Sequence, residues 1–225
     1  MFRKWWILAV LNLMCFHAQA EEAATTWKDK VETFRDQGYT VKTITPIFSQ
    51  LLMLSYPKGF VPAFEGGRNG QYVQESVLEG ETINKWSQMI TITGAKGLSA
   101  IQKVTPALFA VSMAGGFKGA CPTSYSALSL GEVKFGGNDG FAAVLSCGTS
   151  TFGGSAHSES MLLVVIKGDN DYYTIQWAER GEASATPIKL DNATWSKRLQ
   201  KLMPIKLCPI VPGEKPPYPS CANNA

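Results

Sequence analysis

The chain opens on a twelve-residue run, Trp5–Phe16, apolar except for Asn12 and preceded by the positive pair Arg3 and Lys4. His17-Ala18-Gln19-Ala20 then sets small residues where a signal peptidase needs them, so cleavage is expected before Glu21. A helical bilayer span needs about 20 apolar residues, more than this run holds. Asn12-Leu13-Met14 lacks the small residue a lipobox carries just before its cysteine, here Cys15. Residues 1–20 therefore read as the signal peptide of a secreted or periplasmic protein.

Past the leader, helical and strand periods alternate. Trp27, Val31 and Phe34 recur at helical spacing and predict a helix over Trp27–Gln37, ended by Gly38. Gln50–Tyr56 reads as a strand stopped by Pro57. Phe60–Phe64 extends the sheet at its edge, because Pro62 has no N–H for a central ladder. Gln71–Leu78 and Gln88–Thr93 are the next strands. Between them Glu79–Trp86 reads as a turn with a short helical segment that buries Trp86. Gly97–Ala114 predicts the longest helix, with Leu98, Ile101, Val104, Leu108 and Val111 as its inward stripe. Ser99 is the expected cap at its start, Gly115 and Gly116 its end, and Pro106 implies a kink or a later start. Lys103 is its lone charge, so heavy burial is expected.

Tyr125–Phe135, Phe141–Cys147, Glu159–Lys167 and Tyr172–Arg180 then form a strand meander, with turns at Gly136–Gly140 and Gly168–Asp171. Asn192–Met203 returns to helical spacing through Trp195, Leu199, Leu202 and Met203, leaving Lys197, Arg198 and Lys201 exposed near a helix C-terminus that favours cations. This order predicts a single α+β domain over residues 21–207: a twisted, mostly antiparallel sheet with packed helices. A Pro-rich tail follows at residues 208–225.

Charge narrows the partners. Losing Arg3 and Lys4 with the leader takes the formal charge from +3 to +1, with 19 basic against 18 acidic side chains. No basic run remains, which argues against nucleic acid, since phosphate-backbone affinity rests on clustered Lys and Arg. No integral membrane segment is expected after cleavage. Four cysteines survive, Cys121, Cys147, Cys208 and Cys221, and an even number in an oxidising compartment implies two disulfides with three possible pairings. Cys121–Cys147 with Cys208–Cys221 is the expected set, the second tying down Pro209–Ser220, where loop closure is worth about 3 kcal/mol in the chain-entropy view. With wide cysteine spacing and His157 the sole remaining imidazole, neither a metal nor another cofactor is expected.

Catalytic chemistry has few places to reside. His157, in the polar connection Gly153–Glu159, could serve a nearby serine as base, or Cys147 were its thiol free. Glu75, Glu79 and Glu81 invite comparison with the facing carboxylates of glycosidases, about 5–9 Å apart. Glu65-Gly66-Gly67-Arg68-Asn69-Gly70 lacks the Lys-Ser/Thr of a phosphate loop and reads as a mobile loop. Trp86, Trp177, Tyr125, Tyr172 and Tyr173 could line a groove. Tyr172 and Tyr173 are strand neighbours pointing to opposite faces, so one of them is expected at the surface. That tyrosine with the Phe64–Gly70 segment, Phe64 and Arg68 in particular, is the expected contact patch.

Tyr72–Thr91, Cys121-Pro122 and the run Gly168-Asp169-Asn170-Asp171-Tyr172-Tyr173-Thr174-Ile175-Gln176-Trp177 together resemble small exported bacterial proteins, in a pattern similar to the Mog1/PsbP-like α/β/α sandwich. The resemblance spans most of the mature chain and implies that fold with a binding or assembly role; it transfers no catalytic or ligand residue. Two classes of function follow. The first is an exported noncatalytic protein that binds another protein, in a host-interaction, accessory or toxin-neutralising role. The alternative is a secreted hydrolase using His157 or the Glu75, Glu79 and Glu81 carboxylates.

Overall fold

A computed structural model describes residues 41–150 and 155–223. The expected signal peptide and the Trp27–Gln37 helix lie outside the described residues. The strands, in chain order, are β1 (Lys42–Ile47), β2 (Gln50–Ser55), β3 (Phe60–Arg68), β4 (Gln71–Leu78), β5 (Gln88–Ala95), β6 (Tyr125–Phe135), β7 (Asn138–Ser150), β8 (His157–Lys167), β9 (Tyr172–Gly181) and β10 (Lys206–Pro209). The helices are α1 (Pro106–Ala120), α2 (Asn192–Leu202) and the one-turn α3 (Pro219–Ala222). Strands β3-β4-β5-β9-β8-β7-β6 form one sheet and β1-β2-β10 a second, every pairing antiparallel.

The architecture is α+β in layers, and β8 shows why. Met161, Leu163 and Val165 face one way, into a core with Phe109, Ala110, Met113 and Phe117 of α1. Leu162, Val164 and Ile166 face the other way, into a core with Leu52 and Leu54 of β2 and Trp195 and Leu202 of α2. A strand covered on both faces loses its polar alternation, which explains the unbroken run Met161–Ile166. Strand β2 repeats this on a smaller scale: Leu51 and Met53 turn away from Leu52 and Leu54 and pack with Cys208, Cys221 and Tyr218.

The expected meander forms from β6 to β9. Its first turn is tighter than anticipated, because Phe135 pairs with Asn138 and only Gly136 and Gly137 lie between them. Both have positive φ (57° and 92°), the backbone that a two-residue hairpin of right-handed twist demands.

Helix α1 takes the later start that Pro106 implied, and departs from expectation in its cap, its end and its inward face. Pro106 occupies its first turn, where a missing N–H costs nothing, and Thr105 caps it by accepting from the Leu108 N–H at 3.2 Å. Ser99 is no cap; its hydroxyl donates to the carbonyls of Gly168 and Asp171 at 2.9 Å each. Gly115 and Gly116 do not stop the helix, which runs on to Ala120. Starting at residue 106 also changes which face looks inward. Phe109, Ala110, Met113 and Phe117 pack on the sheet, while Leu108 and Val111 of the anticipated stripe stand 55% and 64% exposed.

Other expectations need correction. Glu65–Arg68 is the second half of β3, paired with β4, so the glycine-rich stretch is strand and only Asn69-Gly70 is turn. Glu79–Trp86 holds no helix; Thr82 and Lys85 bridge across a tight turn and Trp86 is half-buried. Arg198 is partly buried, against Trp195. Strands β1 and β10 were not anticipated, and β10 runs across the expected start of the tail at residue 208. Both disulfides form as paired from the sequence, Cys121–Cys147 and Cys208–Cys221.

Candidate functional site

Strand geometry gathers His157, Glu159 and Arg180 at one end of β8 and β9. Alternation puts His157 and Glu159 on one face, and the ladder sets Arg180 directly opposite Glu159. His157 Nδ1 stands 2.8 Å from the Ser155 carbonyl, which can only accept, so Nδ1 carries the proton. His157 Nε2 faces Glu159 Oε2 at 3.6 Å, and the Arg180 Nε–H donates to that same oxygen at 3.2 Å. The guanidinium carbon of Arg180 lies 3.7 Å from the Trp86 ring centroid, a cation stacked on an aromatic face.

Among the described residues this cluster assembles no nucleophile. Among the described residues His157 Nε2 has no hydrogen-bond partner, so no hydroxyl stands where a base would activate it. Cys147 lies directly across the ladder from Glu159, yet its sulfur is committed to Cys121, which removes the thiolate that a Cys–His pair requires. The cleft that Glu159 borders with Phe117, Cys147 and Ser150 holds about 200 Å³, less than the roughly 300 Å³ at which small-molecule sites begin.

The carboxylates are no better placed for acid–base work. Glu75 sits within β4, opposite Thr91 of β5, and Glu79 follows four residues on, about 13 Å along an extended chain. Partial desolvation raises Glu81, but hydrogen bonds from the hydroxyl and N–H of Ser87 (2.6 and 3.0 Å) outweigh it and hold the carboxyl below its ordinary range. A glycosidase acid needs the opposite shift. Among the described residues no group of three or more His, Cys, Asp and Glu side chains could hold a metal ion.

Of the four residues expected in a contact patch, two are at the surface and two are buried. Phe64 (44% exposed) and Arg68 lie on β3, at the rim of the larger sheet. Tyr172 and Tyr173 do point to opposite faces, but both faces are covered and both rings are buried. Tyr172 stacks on Phe109 with centroids 5.5 Å apart and donates to the Val104 carbonyl at 2.6 Å, while Tyr173 donates to the Ile47 carbonyl at 3.2 Å. Trp177 is core as well, its indole N–H donating to Gln88 Oε1 at 3.0 Å, and Tyr125 is half-buried.

Sequence reasoning missed the outward face of α1. Leu108 and Val111 project from it, and Ile101, in the turn before the helix, is 53% exposed. From Lys96 to Gly131 the chain has no Asp or Glu, and Lys103 and Lys118 flank the strip in sequence, while exposed Glu132, Lys134 and Asp139 line a cleft with Thr105, Pro106 and Ala107 at the start of the helix. The signal was legible: a helix apolar all round cannot bury every side against one sheet, so one apolar face must remain outside.

No protein-family model matches the chain, and no curated protein matches its sequence. Solved structures are similar at low identity. One is a Bacteroides thetaiotaomicron protein, 16% identical with a TM-score of 0.35, over 73% of this chain; the chain spans only 47% of that protein's length. The Saccharomyces cerevisiae Ran-binding protein Mog1p is 14% identical with a TM-score of 0.39, over 72% of this chain and 85% of that one. A point mutant of protein Mog1 is 15% identical with a TM-score of 0.39, over 73% and 86%.

Proposed function

We propose that this is an exported, noncatalytic protein that binds another protein through the outward face of α1. The supporting observation is the exposure of Leu108 and Val111 on a helix whose one charge is Lys118. Covering a Leu or Val side chain fully is worth about 1.5–3 kcal/mol, so this strip offers binding energy that the fold itself leaves unused. Lys103 and Lys118 bracket it in sequence, while Glu132 and Asp139 border the start of the helix, so the complementary partner presents an apolar surface with charges of both signs at its rim. A lipid surface fits less well, because interfacial helices carry many Lys and Arg.

Export is part of the proposal. The leader at residues 1–20 and two disulfides favour passage into an oxidising compartment. Accessory, host-interaction and toxin-neutralising roles all use such a face and differ in the partner met outside the cytoplasm. The test is a pull-down from the exported fraction with wild-type, L108D/V111D, K103E/K118E and H157A baits. A specific partner should be lost with L108D/V111D, weakened with K103E/K118E, and kept with H157A. Retention by L108D/V111D, or turnover of a bound substrate that H157A abolishes, overturns the proposal.

A further inference from the structure

Among the described residues strand β3 is an outer strand of the larger sheet, and the hairpin it makes with β4 locates the backbone groups that β4 leaves unused. Asn69 and Gly70, with φ of 53° and 74°, form a two-residue turn closed by Arg68 and Gln71. Such a turn joins a hydrogen-bonded pair, and pair types alternate along an antiparallel ladder. Gly66–Val73 and Phe64–Glu75 are therefore hydrogen-bonded pairs, while Glu65–Gln74 and Gly67–Tyr72 are not. The N–H and C=O of Glu65 and Gly67 consequently point away from β4, out of the sheet. Pro62 and the register shift between Pro62 and Phe64 end this free stretch on one side, and the turn ends it on the other.

We propose that this rim pairs with β3 of a second copy of the chain, antiparallel, about a two-fold axis through Gly66. Glu65 and Gly67 of each copy then exchange hydrogen bonds with Gly67 and Glu65 of the other. Gly66 meets its own counterpart in a non-hydrogen-bonded pair, where Cα atoms approach to about 4.5 Å. A Cβ at Gly66 would stand 3.1 Å from Cζ of Phe64, so the Phe64 ring already lies over the glycine. Across the axis two such rings meet, with no side chain at Gly66 to hold them apart. In the same register each Arg68 stands opposite the other copy's Phe64, a cation beside an aromatic ring.

Self-complementarity is what selects a second copy. An isologous interface needs each group to find its complement across one axis. The segment Phe64-Glu65-Gly66-Gly67-Arg68 provides this, with an aromatic at one end, a cation at the other and glycine at the centre. Pro62 and the turn keep the paired stretch short, so the contact closes as a dimer. The proposal rests on β3 alone and does not depend on α1.

Sedimentation velocity of the disulfide-bonded protein across a wide concentration range tests it, together with amide exchange at Glu65 and Gly67. E65P removes one outward donor that β4 does not use, and R68E reverses the charge set opposite Phe64. Wild type should form a concentration-dependent dimer whose Glu65 and Gly67 amides exchange more slowly as it fills, and both variants should lose the dimer. If E65P fails to fold, R68E, at an exposed side chain, decides alone. A wild type monomeric at every concentration overturns the proposal, as does an R68E protein that dimerises like wild type or a dimer whose Glu65 and Gly67 amides gain no protection.

Discussion

Asp171 accepts two hydrogen bonds from Ser49, from its hydroxyl at 2.5 Å and its backbone N–H at 3.2 Å. Ser49 lies in the turn between β1 and β2, and Asp171 directly precedes β9, so one carboxylate joins the small sheet to the large one. The Gly97 N–H adds a third bond at 2.7 Å. Desolvation raises the buried carboxyl, but these donors together outweigh it and set Asp171 below its ordinary range. A depressed carboxylate contributes stability above its unfolded pKa and loses that contribution as pH falls through its folded value. D171N should therefore lower stability at neutral pH by about 2–3 kcal/mol. In urea unfolding followed over pH, its gap to wild type should close as the solution is acidified below the carboxylate range. A gap that stays constant with pH would show that Asp171 acts by shape alone.

Arg198 and Glu179 should form the second sensitive pair. The Arg198 Nε–H donates to Glu179 Oε1 and its Nη2–H to Oε2 at 2.6 Å, while its guanidinium carbon lies 4.9 Å from the Trp195 ring centroid. This bidentate contact holds α2 to β9. R198A should cost about 1–2 kcal/mol in chemical unfolding, and R198K should recover little of it, because an ammonium cannot reproduce the planar fork. Full rescue by R198K would reduce the contact to simple charge attraction.

The sequence was most legible where one residue dictates local geometry. A period-two run located β4, and short apolar runs bounded by turn residues located β5 through β9, with Gly136-Gly137 marking their tightest turn, while the even count of cysteines after residue 20 led to both disulfides. It was least legible where apolar residues leave the phase open. Almost every position of α1 is apolar, so both the Leu108–Val111 and the Phe109–Met113 stripes satisfy helical spacing, and only the true start at Pro106 and the fit of Phe109 on Tyr172 choose between them. Tyr172 and Tyr173 failed for a related reason: alternation gives opposite faces, but cannot tell that α1 covers one and the small sheet the other. The Glu159–Arg180 pairing was implicit in the Gly168–Asp171 turn, which sets Lys167 opposite Tyr172, whereas the approach of the His157 ring to the same carboxylate lay beyond any local pattern.

The Cys208–Cys221 bridge should anchor the C-terminal segment. It closes a separation of 13 residues and packs with Leu51 and Met53 on the outer side of β2. C208S/C221S should lose about 3 kcal/mol in the chain-entropy view. Limited proteolysis should then cut first between residues 209 and 220. Equal resistance in the variant and wild type would mean that packing alone fixes this segment.

Partner affinity measured by calorimetric titration, for wild type, L108D/V111D and H157A, tests the binding role of α1 most directly. Both α1 side chains are exposed, so the double variant should keep wild-type stability to within about 0.5 kcal/mol per substitution. Its affinity for the partner should nonetheless fall at least about a hundredfold, matching loss of roughly 3 kcal/mol of apolar burial, while H157A binds as wild type does. Undiminished affinity in a folded L108D/V111D protein would contradict that role.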